Sequence, residues 1–146
     1  MPIRSLLLCL QDQDPFLAPR ASQEALTEVA EALEDIDAPH LPLDFQAFLK
    51  ETNGFVWHGL QIFGTTGIAI DHPKTIVPAL PDINESYRSS LSEMENRLLL
   101  GRSEDDLYIF DAEKSSYWIL DRHGLEFIEG FSCFLDLLRQ AIEERA

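Results

Sequence analysis

Apolar and acidic residues recur with a helical period in the first part of the chain. Between Ser22 and Asp37 the apolar side chains return every three or four positions, and acidic side chains fill the other faces. Because these acids have no basic partner one turn away, packing of the apolar stripe must hold this predicted helix, which Ser22 can cap. An earlier apolar run, Leu6 to Leu10, predicts an edge strand or a segment packed on the sheet.

The clearest change of pattern lies in residues 41–67, LPLDFQAFLKETNGFVWHGLQIFGTTG. Its first half predicts a short helix whose first turn Asp44 is expected to cap. Gly54 can adopt the left-handed conformation that ends a helix. Beyond Gly54, the apolar runs on either side of His58 predict two short strands. The stretch therefore joins a helix to a sheet.

The last third of the chain has the pattern of an antiparallel meander. The predicted strands are Leu107–Asp111, Ser116–Asp121 and Leu125–Glu129, which turn-forming residues separate. The first of them is apolar on both faces, so it should be a central strand that is covered on both sides. A helical pattern then begins at Ser132, the predicted cap, and this helix should cover one face of the sheet.

The middle of the chain has a weaker pattern. Residues 68–70 can form a strand and residues 71–73 a turn, after which the prolines predict a long excursion over the surface. Residues 83–98 then have a helical repeat. Because long surface connections often carry functional groups, an element that recognises a partner is expected here.

These patterns together predict one α+β domain over residues 1–146. It has N-terminal helices, a mostly antiparallel sheet and a C-terminal helix packed on that sheet. The length suits one hydrophobic core and is short for two. The apolar run near the start is too short for a signal peptide and leads directly into acidic residues, so the cytoplasm is the expected compartment.

The stretch at residues 41–67 resembles the SUKH superfamily, which includes a yeast cell-wall-synthesis regulator and many bacterial immunity proteins. Its shared core is a Leu-Pro, aromatic-rich helix that ends in Asn-Gly. Residues 98–142, LLLGRSEDDLYIFDAEKSSYWILDRHGLEFIEGFSCFLDLLRQAI, resemble the closing strands and helix of that family, most nearly its YrhA-like bacterial branch. The resemblance runs from about residue 41 to the C-terminus and is carried mainly by structural residues.

Charge restricts the classes of partner. The chain has 26 acidic and 11 basic residues, a formal net charge of −15. A polyanion repels nucleic acid and anionic membrane, and it is attracted to a basic protein. The same acidity also serves solubility alone, and that explanation stays open.

Motifs for catalysis are absent from the sequence. It has no nucleophile elbow, P-loop, HExxH or CxxC. The four histidines are scattered, and the FGTTG stretch at residues 63–67 lacks the lysine of a phosphate loop. The chain is therefore predicted to be no enzyme, with no catalytic residue, metal or cofactor. Cys9 and Cys133 are expected to be buried free thiols, and Trp57 and Trp118 to belong to the core.

The candidate partner-binding residues are carboxylates. Three follow one another in Glu104-Asp105-Asp106, just before the predicted central strand, where like charges are unfavourable unless a counter-charge relieves them. A solvated turn is the competing explanation. Three more carboxylates from the middle of the chain are expected to extend the patch: Asp71, Asp82 and Glu85.

The resemblance supplies the functional expectation. Bacterial SUKH members of this type are commonly linked to toxin immunity, which implies a non-catalytic protein that binds and blocks a basic, nuclease-type toxin domain. The acidic residues would then accelerate encounter and imitate nucleic-acid phosphate. The alternative is a housekeeping regulatory or interaction protein with an endogenous partner, as for the yeast relatives.

Overall fold

The structure is a computed structural model that describes residues 3–10, 15–71 and 74–145, with the side chains of residues 3, 9, 10 and 71 outside the description. The described helices are α1 (Ile3–Leu10), α2 (Gln23–Asp35), α3 (Leu43–Glu51), α4 (Leu80–Ser90) and α5 (Phe134–Glu143). The strands are β1 (Phe16–Leu17), β2 (Phe55–Trp57), β3 (Leu60–Ile62), β4 (Ile68–Asp71), β5 (Lys74–Val77), β6 (Arg97–Arg102), β7 (Asp106–Asp111), β8 (Ser116–Asp121) and β9 (Phe127–Phe131).

Seven of these strands form one antiparallel sheet. Their order is β1-β2-β3-β6-β7-β8-β9, while β4 and β5 pair separately as a two-stranded hairpin. β7 lies inside the sheet, and Leu107, Tyr108 and Ile109 are fully buried as the apolar pattern predicted. The predicted α+β fold is confirmed, with helices at the N-terminus and the C-terminal helix packed on the sheet.

Helices cover both faces of the sheet. Tyr117 of β8 and its cross-strand partner Phe110 point towards α5, where Tyr117 contacts Phe134. Phe134 also packs edge-on against Phe45 of α3, with ring centroids 4.8 Å apart. Arg102 points to the opposite face, towards Tyr87 of α4. The core therefore has two apolar layers, one on each side of the sheet.

The segment predicted to be an N-terminal edge strand is instead the helix α1. Leu6 and Leu7 are buried while Leu8 is 55% exposed, so the helix presents one apolar side to the core. Arg4 forms an ion pair with Glu51 of α3, with Nε 3.1 Å from Oε2. The prediction was wrong because a short apolar run has no period that separates helix from strand.

The predicted helix over residues 83–98 is also wrong in its second half. α4 ends at Ser90, a 3-10 turn covers Ser92–Met94, and Arg97 begins strand β6. The side chain of Arg88 holds this reversal, since its Nη1 donates to the carbonyls of Met94 and Glu95. The predicted surface excursion is thus a hairpin followed by a packed helix. Residues 72 and 73 of its predicted turn lie outside the described residues.

Both cap predictions that involve α3 and α5 are corrected. Asp44 does not cap α3, whose N-cap position is Pro42 without a side-chain hydrogen bond. Nor does Ser132 cap α5, which begins after Cys133 and has no cap from its own flanking side chains. Asp44 instead reaches α5 across the core: one carboxylate oxygen accepts the Phe134 N–H at 2.8 Å, and the other accepts the Tyr117 hydroxyl.

Two predictions for single side chains have different outcomes. Trp57 is buried as expected, but Trp118 is only partly buried, because the face of β8 that carries it is not covered at that point. Trp118 lies instead between Phe127 and the Arg97 guanidinium. Cys133 is a free thiol as predicted, but it is half-buried and not fully buried, and the Cys9 side chain lies outside the described residues.

Candidate functional site

One end of the main sheet gathers three turns and the end of a helix. The antiparallel register places Gln61 beside Arg102 and Asp106 beside Asp121, so the β2–β3, β6–β7 and β8–β9 turns lie at the same end. α5 starts at the other end and runs back, which brings Arg145 to these turns. The Glu104-Asp105-Asp106 sequence forms the middle turn of this group.

We call the five carboxylates that meet at this end the acidic edge: Glu104, Asp105, Asp106, Asp121 and Glu144. Glu104, Asp105 and Glu144 are exposed, and the Glu104 side chain is 80% exposed. Asp106 and Asp121 are half-buried and stand directly opposite each other on β7 and β8. Like charges in such a cross-strand pair are unfavourable, so the sheet holds these carboxylates together at a cost.

The pKa of Asp106 shows the effect of burial and of the neighbouring carboxylates. Burial raises the pKa of the Asp106 carboxyl, and the charges of Glu144, Asp105 and Asp121 raise it further. Arg145 acts in the opposite direction and lowers it. The acidic edge therefore carries more negative charge than its own cation neutralises.

Arg145 forms an ion pair with a carboxylate of the acidic edge. Its Nε donates to the His58 carbonyl oxygen at 2.5 Å, and its Nη2 lies 3.9 Å from Glu104 Oε1. The side chain is only 20% exposed, whereas its carboxylate partner is largely in solvent. An exposed pair of this length contributes little stability, so Glu104 keeps most of its capacity to meet another cation.

Hydrogen bonds make the acidic turn rigid. The backbone N–H of Ser103 donates to the Asp106 carbonyl at 2.9 Å, and the Ser103 hydroxyl accepts the Asp106 N–H at 3.1 Å. Arg122 bridges the next turn: its N–H donates to the Asp105 carbonyl and its Nη1 to the Ser103 carbonyl, both at 2.8 Å. The exposed carboxylates are therefore presented from a fixed backbone, which lowers the entropy lost on binding.

A buried tyrosine lies beneath the acidic edge. The Tyr108 hydroxyl makes no hydrogen bond of ordinary geometry within the described part of the chain. Burial raises the pKa of Tyr108 to about 12, with smaller effects from nearby Ser103, Asp106 and Glu144. The phenol therefore stays neutral at physiological pH and adds no charge to the acidic edge.

The other three candidate residues lie elsewhere. Asp82 is exposed in the first turn of α4, where it lines a shallow pocket together with Glu28 of α2. Glu85 is exposed one turn later on α4, and Asp71 ends β4 opposite Lys74, with its side chain outside the description. Among the described residues, no hydrogen bond or ion pair links Asp82 or Glu85 to the acidic edge.

Sequence reasoning missed two carboxylates of the acidic edge. Asp121 was predictable in principle, because a hairpin between the two predicted strands puts the last residue of one opposite the first of the other. Glu144 was not, because its position depends on how α5 packs across the sheet. Glu144 lies beyond Ile142, the last apolar residue of the predicted helical repeat, at the C-cap position of α5.

The described residues contain no group of three or more His, Cys, Asp and Glu side chains with metal-binding geometry. Across the same part of the chain, no helix is long and apolar enough to cross a membrane. Comparison of the sequence with protein-family models gives no match, and comparison with curated proteins gives none either. Interpretation of the acidic edge therefore depends on its own geometry and charge.

Proposed function

We propose that this chain is a non-catalytic protein-binding module of the SUKH type that uses the acidic edge to bind a basic protein domain. The leading candidate for that domain is a bacterial toxin, of nuclease type, which the module blocks as an immunity protein in the cytoplasm. The observation that carries the proposal is the acidic edge itself, where five carboxylates meet on a rigid frame and, among the described residues, only Arg145 forms an ion pair with one of them.

The acidic edge has the properties that a basic partner requires. Its exposed carboxylates attract cations over about a Debye length, roughly 8 Å at physiological salt, and this attraction increases the rate of encounter. Carboxylates spaced along a turn also imitate backbone phosphates, so a nuclease's substrate groove is a suitable counterpart. Occupation of that groove would block the toxin by steric exclusion, without any chemical step.

The resemblance over residues 41–67 supports the class of protein, and the charge supports the class of partner. A housekeeping regulatory or interaction protein is the alternative, and the same acidic edge would then bind an endogenous basic protein. The two differ in the identity of the partner, so the first experiment must identify it.

The experiment is a pull-down from the lysate of the source cell, with captured proteins identified by mass spectrometry. Wild type is compared with an edge-neutralised variant, Glu104→Gln/Asp105→Asn/Asp106→Asn. The matched control is Glu24→Gln/Glu31→Gln/Glu34→Gln, which removes the same charge from the exposed face of α2.

The proposal predicts capture of a basic toxin domain by wild type and by the α2 control at low salt, and its loss in the edge-neutralised variant. Purified wild type should also inhibit the captured toxin at equimolar concentration. Capture that is equal in all three proteins would contradict the role of the acidic edge. Capture of an endogenous basic protein with no toxic activity would favour the regulatory alternative.

A further inference from the structure

A pocket of about 510 Å³ lies between α4 and the β8–β9 turn, on the face of the sheet opposite to α5. α4 contributes Ser86 and Tyr87, and the turn contributes Arg122 and His123. Hydrogen-bond donors thus enter the pocket from two elements. Its volume is within the range of pockets that hold a small organic molecule, about 300 to 1,000 Å³.

Arg122, which lines this pocket, and Arg102, which lies next to the pocket residue Tyr87, form no ion pair with a carboxylate among the described residues. Arg122 is half-buried, and its described side-chain bond is to a neutral acceptor, the Ser103 carbonyl. Arg102 is also half-buried, and its Nε donates to Gln61 Oε1 at 2.9 Å. The four arginine–carboxylate pairs in the described part of the chain involve other arginines.

The two guanidinium groups are close enough to repel each other. Burial lowers the pKa of Arg102, and the charge of Arg122 lowers it further, while Tyr87 opposes both effects. Arg102 does not line the pocket, but it interacts with Tyr87, which does. Because a guanidinium only donates hydrogen bonds, the Tyr87 oxygen can act towards Arg102 only as an acceptor, which keeps the Tyr87 O–H as a donor.

We propose that this pocket binds a small organic phosphate. Its phosphate group lies against Arg122 and the hydroxyl groups of Ser86 and Tyr87, because guanidinium and hydroxyl donors are the ones that phosphate oxygens accept best. Its organic part lies on the apolar side chains of Leu91 and Leu125, which line the same pocket. The bound dianion offsets the positive charge of Arg122, which forms no ion pair with a carboxylate within the described residues.

Carboxylates near the pocket act against an anion. Glu93 lines its rim, and Asp121 lies beneath the turn, where its carboxylate accepts the N–H groups of His123 and Gly124. Asp121 is held by the turn, whereas Glu93 is exposed and forms no ion pair within the described residues. Removal of the Glu93 charge should therefore strengthen binding.

The test is calorimetric titration of the whole chain with phenyl phosphate, an aromatic phosphate monoester. We expect saturable binding by wild type, about tenfold weaker binding by Arg122→Gln and several-fold weaker binding by Tyr87→Phe, which removes only the hydroxyl. Glu93→Gln should bind several-fold more tightly. The matched control is Arg139→Gln, which neutralises an arginine on α5 and should leave the affinity unchanged.

Phenol and inorganic phosphate separate the two parts of the ligand. Phenol should show no saturable binding, and inorganic phosphate should bind more weakly than phenyl phosphate. The proposal is overturned if folded wild type does not bind phenyl phosphate saturably, or if Arg122→Gln binds it as tightly as wild type. No protein partner is present in this titration, so its failure would leave the proposal for the acidic edge untouched.

Discussion

Asp44 connects three elements that are far apart in the sequence, and its removal should destabilise the whole domain. The carboxylate accepts the N–H of Phe134, in the first turn of α5, and the hydroxyl of Tyr117 on β8. α5 has no other side-chain cap among the described contacts at its start. Asp44→Ala would therefore leave two partly buried donors without a partner.

The expected cost follows from these two bonds. A hydrogen bond to a charged acceptor is worth about 1.5 to 3 kcal/mol, and the half-exposed position of Asp44 favours the lower value. Two such bonds give a loss of about 3 kcal/mol, or a fall in Tm of roughly 6 to 12 °C for a domain of this size. Tyr117→Phe removes one of the two bonds and should cost about 1 kcal/mol.

The assay is urea denaturation of both variants and of the double mutant, followed by tryptophan fluorescence. Because the two side chains share a bond, the double mutant should be less destabilised than the sum of the single mutants, by about 1 kcal/mol. Asp136→Ala is the matched control, since it removes an exposed acid from the first turn of α5, the turn to which Asp44 bonds, and should cost less than about 1 kcal/mol. If Asp44→Ala costs no more than this control, the long-range cap is refuted.

For three other sites, the structure determines whether a substitution raises or lowers the stability of the domain. Because the pKa of Asp106 is raised in the folded state, folding takes up protons at pH values just above the ordinary carboxyl pKa, and stability falls as the pH rises through this range. Asp106→Asn should therefore raise the free energy of unfolding at neutral pH. Urea titrations at several pH values should show that this gain becomes smaller as the pH is lowered. Tyr108→Phe should leave the free energy of unfolding unchanged or raise it by up to about 1 kcal/mol in the same assay, although Tyr108 is fully buried, because it removes a hydroxyl without a good hydrogen-bond partner. A loss of more than about 1 kcal/mol would contradict this prediction. Gly64→Ala should cost at least about 2 kcal/mol, because the added Cβ would collide with the Asn53 carbonyl oxygen. Gly124→Ala should be tolerated, because its Cβ would come no closer than 3.1 Å to Asp121 Oδ2, and equal thermal shifts for the two variants would refute this.

Elements with a long, consistent period were predicted correctly. α2 and the strands β7 and β8 repeat their patterns over many residues, so local sequence and tertiary packing agree there. The last strand of the meander, β9 (Phe127–Phe131), begins two residues later than the predicted strand Leu125–Glu129. The helical repeat assigned to residues 83–98 failed because its apolar positions fall on two different elements. The amide of Asn84 explains the outcome: it bonds both the N–H and the carbonyl of Leu99, an interaction between α4 and β6 that no local pattern reveals.

Only those residues of the candidate site that are adjacent in the sequence could be predicted. Glu104, Asp105 and Asp106 are adjacent in the sequence, and their turn position follows from the strand that begins beside them. Glu144 and Arg145 reach the same place because α5 runs back along the sheet, and that direction depends on the cap from Asp44 and the aromatic packing at Phe134. The packing of distant elements, more than local propensity, therefore determines which charges meet.

The most direct test of the central claim is the rate of association between this chain and the captured basic domain, measured by stopped flow over a series of salt concentrations. We predict a steep fall in the wild-type rate with salt, and for Glu104→Gln/Asp105→Asn/Asp106→Asn a rate that is roughly tenfold slower at low salt and depends less on salt. The α2 control Glu24→Gln/Glu31→Gln/Glu34→Gln should follow wild type closely. The same rate and salt dependence for wild type and the edge-neutralised variant would contradict the claim that the acidic edge meets the partner.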